Sequence, residues 1–236
     1  MNSLYLIPST LGDTPPHQVL PDGTLEVLPK LSVFVVEELR SARRFLSAAG
    51  LKGKIDGLEF HTLNEHTSPE EIEALGALFD KSSVGLITEA GLPAVADPGA
   101  ALVALCHRKG IPVVPLVGPS SLMLALMASG LNGQSFAFRG YLPAKSNERK
   151  SAIKKVEKDS YLFSQTQIFI ETPYRNDALM ADFLAGLSPA TLLCIAADLT
   201  LPSQIILTQT VAEWRRKTNF IIGKRPCVFL ILAQSN

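Results

Sequence analysis

Residues 84–121, VGLITEAGLPAVADPGAALVALCHRKGIPVVPLVGPSS, restrict the possible fold more than any other part of this chain. A short apolar run leads into a loop punctuated by glycine and proline. A helix-compatible stretch follows, then a second apolar run and a glycine-proline-serine turn. Short apolar runs alternating with a helix predict strands buried on both faces and joined by a parallel crossover. In an open α/β sheet, the loops at the carboxyl ends of such strands are where ligands bind. Both loops here are built from small residues and proline, so the stretch predicts an enzyme-like site.

The same reading extends along the chain. Strands are predicted at residues 4–8, 33–36, 84–88 and 112–117, with helices at 43–49 and 99–109. Residues 10–29 read as a long loop with a short helix near Thr24. Ser68-Pro69-Glu70-Glu71 is a helix start: Ser68 caps it, proline takes the first helical position and Glu71 closes a capping box. Its apolar face is Ile72, Leu75, Leu78 and Phe79. After residue 117 the pattern changes. An apolar helix at 119–129 ends at Gly130, and a charged helix is predicted at 145–158. Strands are predicted at 136–142, 167–170, 192–197, 204–208 and 227–232, with helices at 178–187 and 211–217. The connection at 199–202 is short enough to make its flanking strands antiparallel. The expected architecture is therefore two α/β domains, residues 1–117 with a mainly parallel sheet and residues 118–236 with a mixed sheet.

A chain of 236 residues that is 47% hydrophobic can bury a sizeable core. Lys and Arg together number 22, as do Asp and Glu, which argues against a protein-wide basic surface but leaves room for a local patch. Cys106, Cys194 and Cys227 lack CxxC or metal-ligand spacing, so no metal is expected, and Cys194 and Cys227 sit in apolar runs as core residues. No stretch approaches the roughly 20 apolar residues of a membrane helix, and residues 1–13 do not read as a signal peptide. A soluble cytoplasmic protein is expected. The absence of GxGxxG, P-loop, GxSxG and zinc motifs sets aside the chemistries that depend on them.

Five segments carry polar chemistry, and each has a plainer alternative. Glu89-Ala90-Gly91-Leu92-Pro93 with Asp97-Pro98-Gly99 offers a backbone surface without side-chain bulk, although the last three residues alone also read as a helix start. Gly118-Pro119-Ser120-Ser121 offers hydroxyl and N–H donors, or is an ordinary helix cap. Glu65 and His66 pair a carboxylate with an imidazole, suited to a general base and its orienter, or are a surface pair. Lys145, Arg149 and Lys150, followed by Lys154, Lys155 and Lys158, form the densest basic segment. It can meet phosphates, or it is a solvated helix face diluted by Glu148, Glu157 and Asp159. Glu171-Thr172-Pro173-Tyr174-Arg175 follows a strand and reads as a ligand wall or as a turn.

Taken in order, these segments resemble the tetrapyrrole methylase superfamily of S-adenosylmethionine-dependent methyltransferases, and within it the branch that methylates a ribose 2′-hydroxyl in small-subunit ribosomal RNA. The resemblance rests on residues 4–13 (LYLIPSTLGD), 36–40 (VEELR), Glu65-His66, residues 88–93 with 97–99, residues 117–121 (VGPSS), 140–149 (GYLPAKSNER) and 171–175 (ETPYR). Asp13 stands where that branch carries Asn, and Glu38 where it carries Asp. ADLTL at 197–201 replaces an RELTK-like segment, and the chain stops soon after its last strand where that branch continues.

The resemblance implies two α/β domains with the donor in a cleft between them, and a homodimer. It implies donor contacts from Leu11, Glu89, Ala90, Gly91, Pro93, Ala94, Ser120, Ser121, Glu171, Thr172 and Ala197. The lost basic residues imply altered RNA contact, with Lys145, Arg149 and Lys150 as the RNA-facing cations. An alcohol acceptor benefits from a base, for which Glu65, His66, Glu38 and Glu171 are candidates, with Glu65 or His66 favoured. A methyltransferase acting on a corrinoid-like small molecule or a protein side chain, and a non-catalytic S-adenosylmethionine-binding protein, remain open alternatives.

Overall fold

A computed structural model describes residues 1–234, which divide into two compact units, one of Met1–Ser120 and one that begins at Ser121. The division falls three residues after the expected boundary.

Unit 1 is built on strands β1 (Leu4–Ile7), β2 (Val33–Val36), β3 (Glu59–Thr62), β4 (Val84–Ile87) and β5 (Val113–Pro115). They form one sheet in the order β3-β2-β4-β1-β5, and every pairing is parallel. The period of two along a strand sorts the side chains. Leu4, Val33, Val35, Val84 and Leu86 pack on one face with Leu102 and Leu105. Ile7, Phe34, Val36 and Ile87 pack on the other with Leu28, Leu46 and Leu51. Gly85 lies where the two neighbouring strands press in: a Cβ there would sit 2.6 Å from Ile7 Cδ1 and 2.8 Å from Phe34 Cδ1.

The helices of unit 1 are α1 (Pro16–Val19), α2 (Asp22–Leu25), α3 (Leu39–Leu46), α4 (Pro69–Ala74) and α5 (Ala100–Arg108). Ser68 makes the expected capping box with Glu71. The helix it starts does not run on regularly: beyond Ala74 it tightens into a 3-10 stretch, Leu75–Asp80, that still buries Leu75 and Phe79. Strand β3 is one of the two edge strands and mostly polar, so the apolar pattern that marks its neighbour β2 is missing.

Unit 2 carries β6 (Phe136–Phe138), β7 (Thr166–Ile170), β8 (Leu192–Ala197), β9 (Ile205–Thr210) and β10 (Cys227–Leu232), in the order β6-β7-β10-β8-β9. Only β6 and β7 are parallel, and β8 and β9 are antiparallel neighbours as their short connection requires. Strand β6 is shorter than residues 136–142, because Gly140 turns the chain with a φ of +66°. The helices are α6 (Ser121–Ser129), α7 (Ser146–Phe163), α8 (Asn176–Gly186) and α9 (Val211–Arg216).

Helices α7, α8 and α9 cover a core of Ile153, Phe169, Phe183, Ile195, Trp214 and Phe229. The indole N–H of Trp214 donates to the Leu193 carbonyl at 2.8 Å, so its burial leaves no donor unpaired. The three cysteines are buried, and burial pushes the thiol of Cys106 up to about 11 and that of Cys227 to about 12. Cys194 shifts the same way. These thiols are core residues and not nucleophiles. Among the described residues no helix is long and apolar enough to cross a membrane.

Candidate active site

The parallel sheet of unit 1 delivers the carboxyl ends of β1, β2 and β4 to one edge. The loops after β1 and β4 lock together there: Ser9 and Gly91 form an isolated bridge, and the Ser9 hydroxyl donates to the Thr88 carbonyl at 3.0 Å. The loop after β4 is shaped by left-handed backbone at Gly91 (φ +78°), Ala94 (φ +64°) and Ala96 (φ +58°). A Cβ on Gly91 would be strained by that φ and would reach 3.2 Å from Leu11 Cδ2. Gly91 and Pro93 are buried, while Glu89 and Ala90 are exposed. Residues 118–120 meet the same edge, since a Cβ on Gly118 would lie 2.2 Å from Pro8 Cβ.

Three carboxylates gather where β2 and β4 end. Thr88 donates its hydroxyl to Asp97 Oδ2, and the Gly99 N–H donates to Asp97 Oδ1 at 3.1 Å. Helix α5 starts only at Ala100, with Gly99 at the cap position and no side-chain cap, so Asp97 fastens the loop to the end of β4 instead of capping the helix as the sequence suggested. Glu37 follows β2 directly, is half-buried and shares a hydrogen bond with Asp97. Burial first, then the charges of Asp97 and Glu89, push its carboxyl up to about 7, opposed by a hydrogen bond from the Glu89 N–H. Two carboxylates sharing a hydrogen bond need one proton between them. Glu37 is thus an acid–base group poised near neutrality. Sequence reading named Glu38 as a candidate base and left Glu37 out. Glu38 instead caps α3, accepting from the Arg40 and Ser41 N–H groups at 2.9 and 2.6 Å, which hold its carboxyl below its usual range. Glu37 was findable as the acidic residue that ends a buried β-branched strand.

A cavity of about 450 Å³ adjoins this edge, lined by Thr10, Leu11, Asp13, Arg44, Glu89 and Ala90 among others. Leu11, Glu89 and Ala90 are thereby brought together. Glu65 and His66 lie elsewhere in unit 1, in the turn after β3, 3.6 Å apart and with side chains more than four-fifths exposed.

In unit 2, Glu171 follows β7 with its side chain only 1% exposed. Its Oε1 accepts from the Thr172 N–H and from Arg175, while Oε2 is buried with no donor among the described residues. A ligand carrying hydroxyl or ammonium donors would satisfy it. Thr172 itself is exposed, Ser121 opens α6, and Ala197 ends β8, paired to Ile205 and Cys227. Within unit 1 the small residues and left-handed backbone of the loop after β4 leave room for a ligand against the main chain, and within unit 2 the unsatisfied Glu171 Oε2 calls for a hydrogen-bond donor.

The basic segment departs from expectation at one residue. Arg149 is buried and points inward: Nε donates to Asp182 at 2.6 Å, and Nη1 donates to the carbonyls of Pro143 and Ala144 at 3.2 and 2.7 Å. It anchors α7 to α8 and is not open to phosphate. Lys145 is exposed and pairs with Glu148 at 3.3 Å, and Lys150 is exposed.

A family model described as tetrapyrrole (corrin/porphyrin) methylases matches residues 25–214. The chain is 35% identical over 214 residues to a ribosomal RNA small subunit methyltransferase I of Neisseria meningitidis serogroup B, covering 89% of this chain and 68% of that protein. It is 32% identical over 210 residues to the protein of the same name from Escherichia coli O157:H7, covering 89% and 70%. Among solved structures, it resembles the methyltransferase CobJ with a TM-score of 0.63, at 14% identity and covering 99% and 95% of the two chains. It also resembles uroporphyrin-III C-methyltransferase from Thermus thermophilus complexed with S-adenyl homocysteine, with a TM-score of 0.58, 18% identity and 98% and 97% coverage.

Proposed function

This chain belongs to the tetrapyrrole methylase family, and from that premise we propose that it transfers a methyl group from S-adenosylmethionine to small-subunit ribosomal RNA, at a ribose 2′-hydroxyl. The likeness to the two ribosomal RNA methyltransferases above carries the acceptor class. The small-residue rim after β4 supports the donor. When bound, S-adenosylmethionine supplies a methyl group on a sulfonium that leaves as a neutral thioether.

The protein's own work is to position, to exclude water and to hold one proton. Gly91, Pro93 and Ala94 with Leu11, Glu89, Ala90 and Ser120 are the proposed donor contacts from unit 1. Ser121, Glu171, Thr172 and Ala197 are those proposed from unit 2. Glu171 Oε2 accepts from a donor hydroxyl or ammonium. Glu37 takes the proton of the acceptor hydroxyl onto a carboxylate oxygen as the new O–C bond forms, and Asp97 then shares that proton. We place the base at Glu37 because it alone among the candidates combines burial, an acidic partner and a value near neutrality. Glu65 and His66 have the resemblance in their favour and full access to solvent. Cytoplasmic localisation and a homodimer complete the proposal.

Two measurements test it. Calorimetry is expected to show binding of S-adenosylmethionine, and no heat at millimolar donor would remove the reading. In cells lacking the protein, a ribose-methylation map of the small ribosomal subunit is expected to lose a site; an unchanged map would turn the acceptor toward a small molecule or a protein side chain. The rate of Glu65→Gln is expected to stay close to that of the unmodified protein, and a loss of about 100-fold, the scale of general base catalysis, would move the base to the turn after β3.

A further inference from the structure

Helix α7 carries Lys150, Lys154 and Lys158 at successive intervals of four and Tyr161 three residues on, so these four share one face. Arg149, Ile153, Val156 and Ser160 are buried on the other side. Of the two acids among these lysines, Asp159 is neutralised by an ion pair, while Glu157 keeps its charge and only accepts from neutral donors. Glu157 accepts from the Ser188 N–H at 2.7 Å and the Thr191 hydroxyl at 2.5 Å, and Asp159 pairs with Arg139 at 3.2 Å. None of the three lysines forms an ion pair among the described residues. The face therefore sets three lysines without an ion pair against the one carboxylate of Glu157, a net positive patch on a chain whose net charge is zero. At its carboxyl end Lys154, Glu157, Lys158 and Tyr161, with Ser188 and Thr191, line a cavity of about 460 Å³, where the Glu157 carboxylate is turned to Ser188 and Thr191, and Tyr161 is 55% exposed beside it.

We propose that this niche binds single-stranded RNA, one base stacking on Tyr161 while Lys154 and Lys158 meet the flanking phosphates. An aromatic platform between point charges is the combination that holds a single strand without reading its sequence. Charge and ring together select this occupant. An acidic peptide would use the lysines alone and leave the exposed ring of Tyr161 without a partner. The inference rests on the RNA reading above and adds a contact in unit 2 that Lys145 and Arg149 do not make.

The test is fluorescence anisotropy with a labelled single-stranded RNA of about 15 nucleotides, near the upper end of one binding site, repeated across a salt series. Lys154→Gln with Lys158→Gln is expected to flatten the slope of log affinity against log salt by about 1.4, two single-strand phosphate contacts at about 0.7 each. Tyr161→Ala is expected to weaken binding by about 5- to 150-fold, the worth of one stacked base, with the slope unchanged. Calorimetry with S-adenosylmethionine shows that each variant is folded. A salt slope that survives the double lysine change overturns the proposal, as does an affinity that survives Tyr161→Ala. Equal losses on heparin and RNA with no effect of the ring would make the face a general polyanion surface. A Tyr161→Ala protein that loses self-association and keeps RNA would make it a face between copies. If the unaltered protein binds no RNA at all, both this niche and the RNA reading fail, whereas loss of the niche alone leaves that reading intact.

Discussion

Glu37→Gln is expected to slow methyl transfer by about 10²- to 10⁴-fold, the usual contribution of a positioned base, while S-adenosylmethionine still binds. The unmodified enzyme should gain rate as pH rises through about 7, because the base works only when its proton has left. The glutamine variant should lose that inflection. Stability moves in the opposite sense. A carboxyl raised from 4.5 to about 7 holds its proton more tightly in the folded chain than in the unfolded one. Between those values the folded state binds more protons, so stability falls as pH climbs through the window. Above about pH 7 the penalty is complete, and below about pH 4.5 it is absent. Glutamine removes the charge and keeps a donor toward Asp97. It should therefore stabilise the protein at pH 8 by about 1 kcal/mol, after discounting the shift for partial solvent screening, and give no gain at pH 4. Thermal melts at the two pH values, beside a rate profile, check both halves. An unchanged pH–rate profile would take the base away from Glu37, whatever the melts show.

The parts of the fold that were legible in the sequence are those where local chemistry and burial agree. VFVV and VGLI are apolar throughout because both faces of β2 and β4 are covered. Ser68 with Glu71 signals a helix start with its own side chains, whereas Asp97 before Pro98-Gly99 looks like one and binds Thr88 and the Gly99 N–H ahead of the helix. Strand β3 gave no such signal, since an edge strand with the sequence EFHT buries little and takes its conformation from pairing with β2. The same limit applies to the site. The small residues of the loop after β4 announce a close backbone approach. The proton-holding role of Glu37 depends on Asp97, sixty positions away, and becomes visible only when β2 and β4 pair. Charge is the least legible quantity. A run of lysines and acids reads as an average in sequence, and the fold then decides which charges are consumed inside and which are left to meet a partner.

Arg149 gives the sharpest case, and its loss should carry the largest stability effect. Arg149→Ala leaves Asp182 without its partner and strips two carbonyls of a donor. Breaking a buried pair from one side costs about 3 to 5 kcal/mol, because the remaining charge is left desolvated. Asp182→Asn should be milder, since an amide oxygen still accepts from the guanidinium. Replacing both residues with apolar ones, Arg149→Met with Asp182→Leu, should recover much of the loss, because no uncompensated charge remains. Lys150→Ala, one residue along on the exposed side of α7, should leave the melting temperature where it was. Measured well below its lowered melting point, Arg149→Ala should bind RNA with an unchanged salt slope, as a residue that never meets a phosphate must. A melting temperature unaffected by Arg149→Ala, together with a flatter salt slope, would return this arginine to the RNA-facing surface and undo the reading of α7 as a helix with one anchored face and one cationic one.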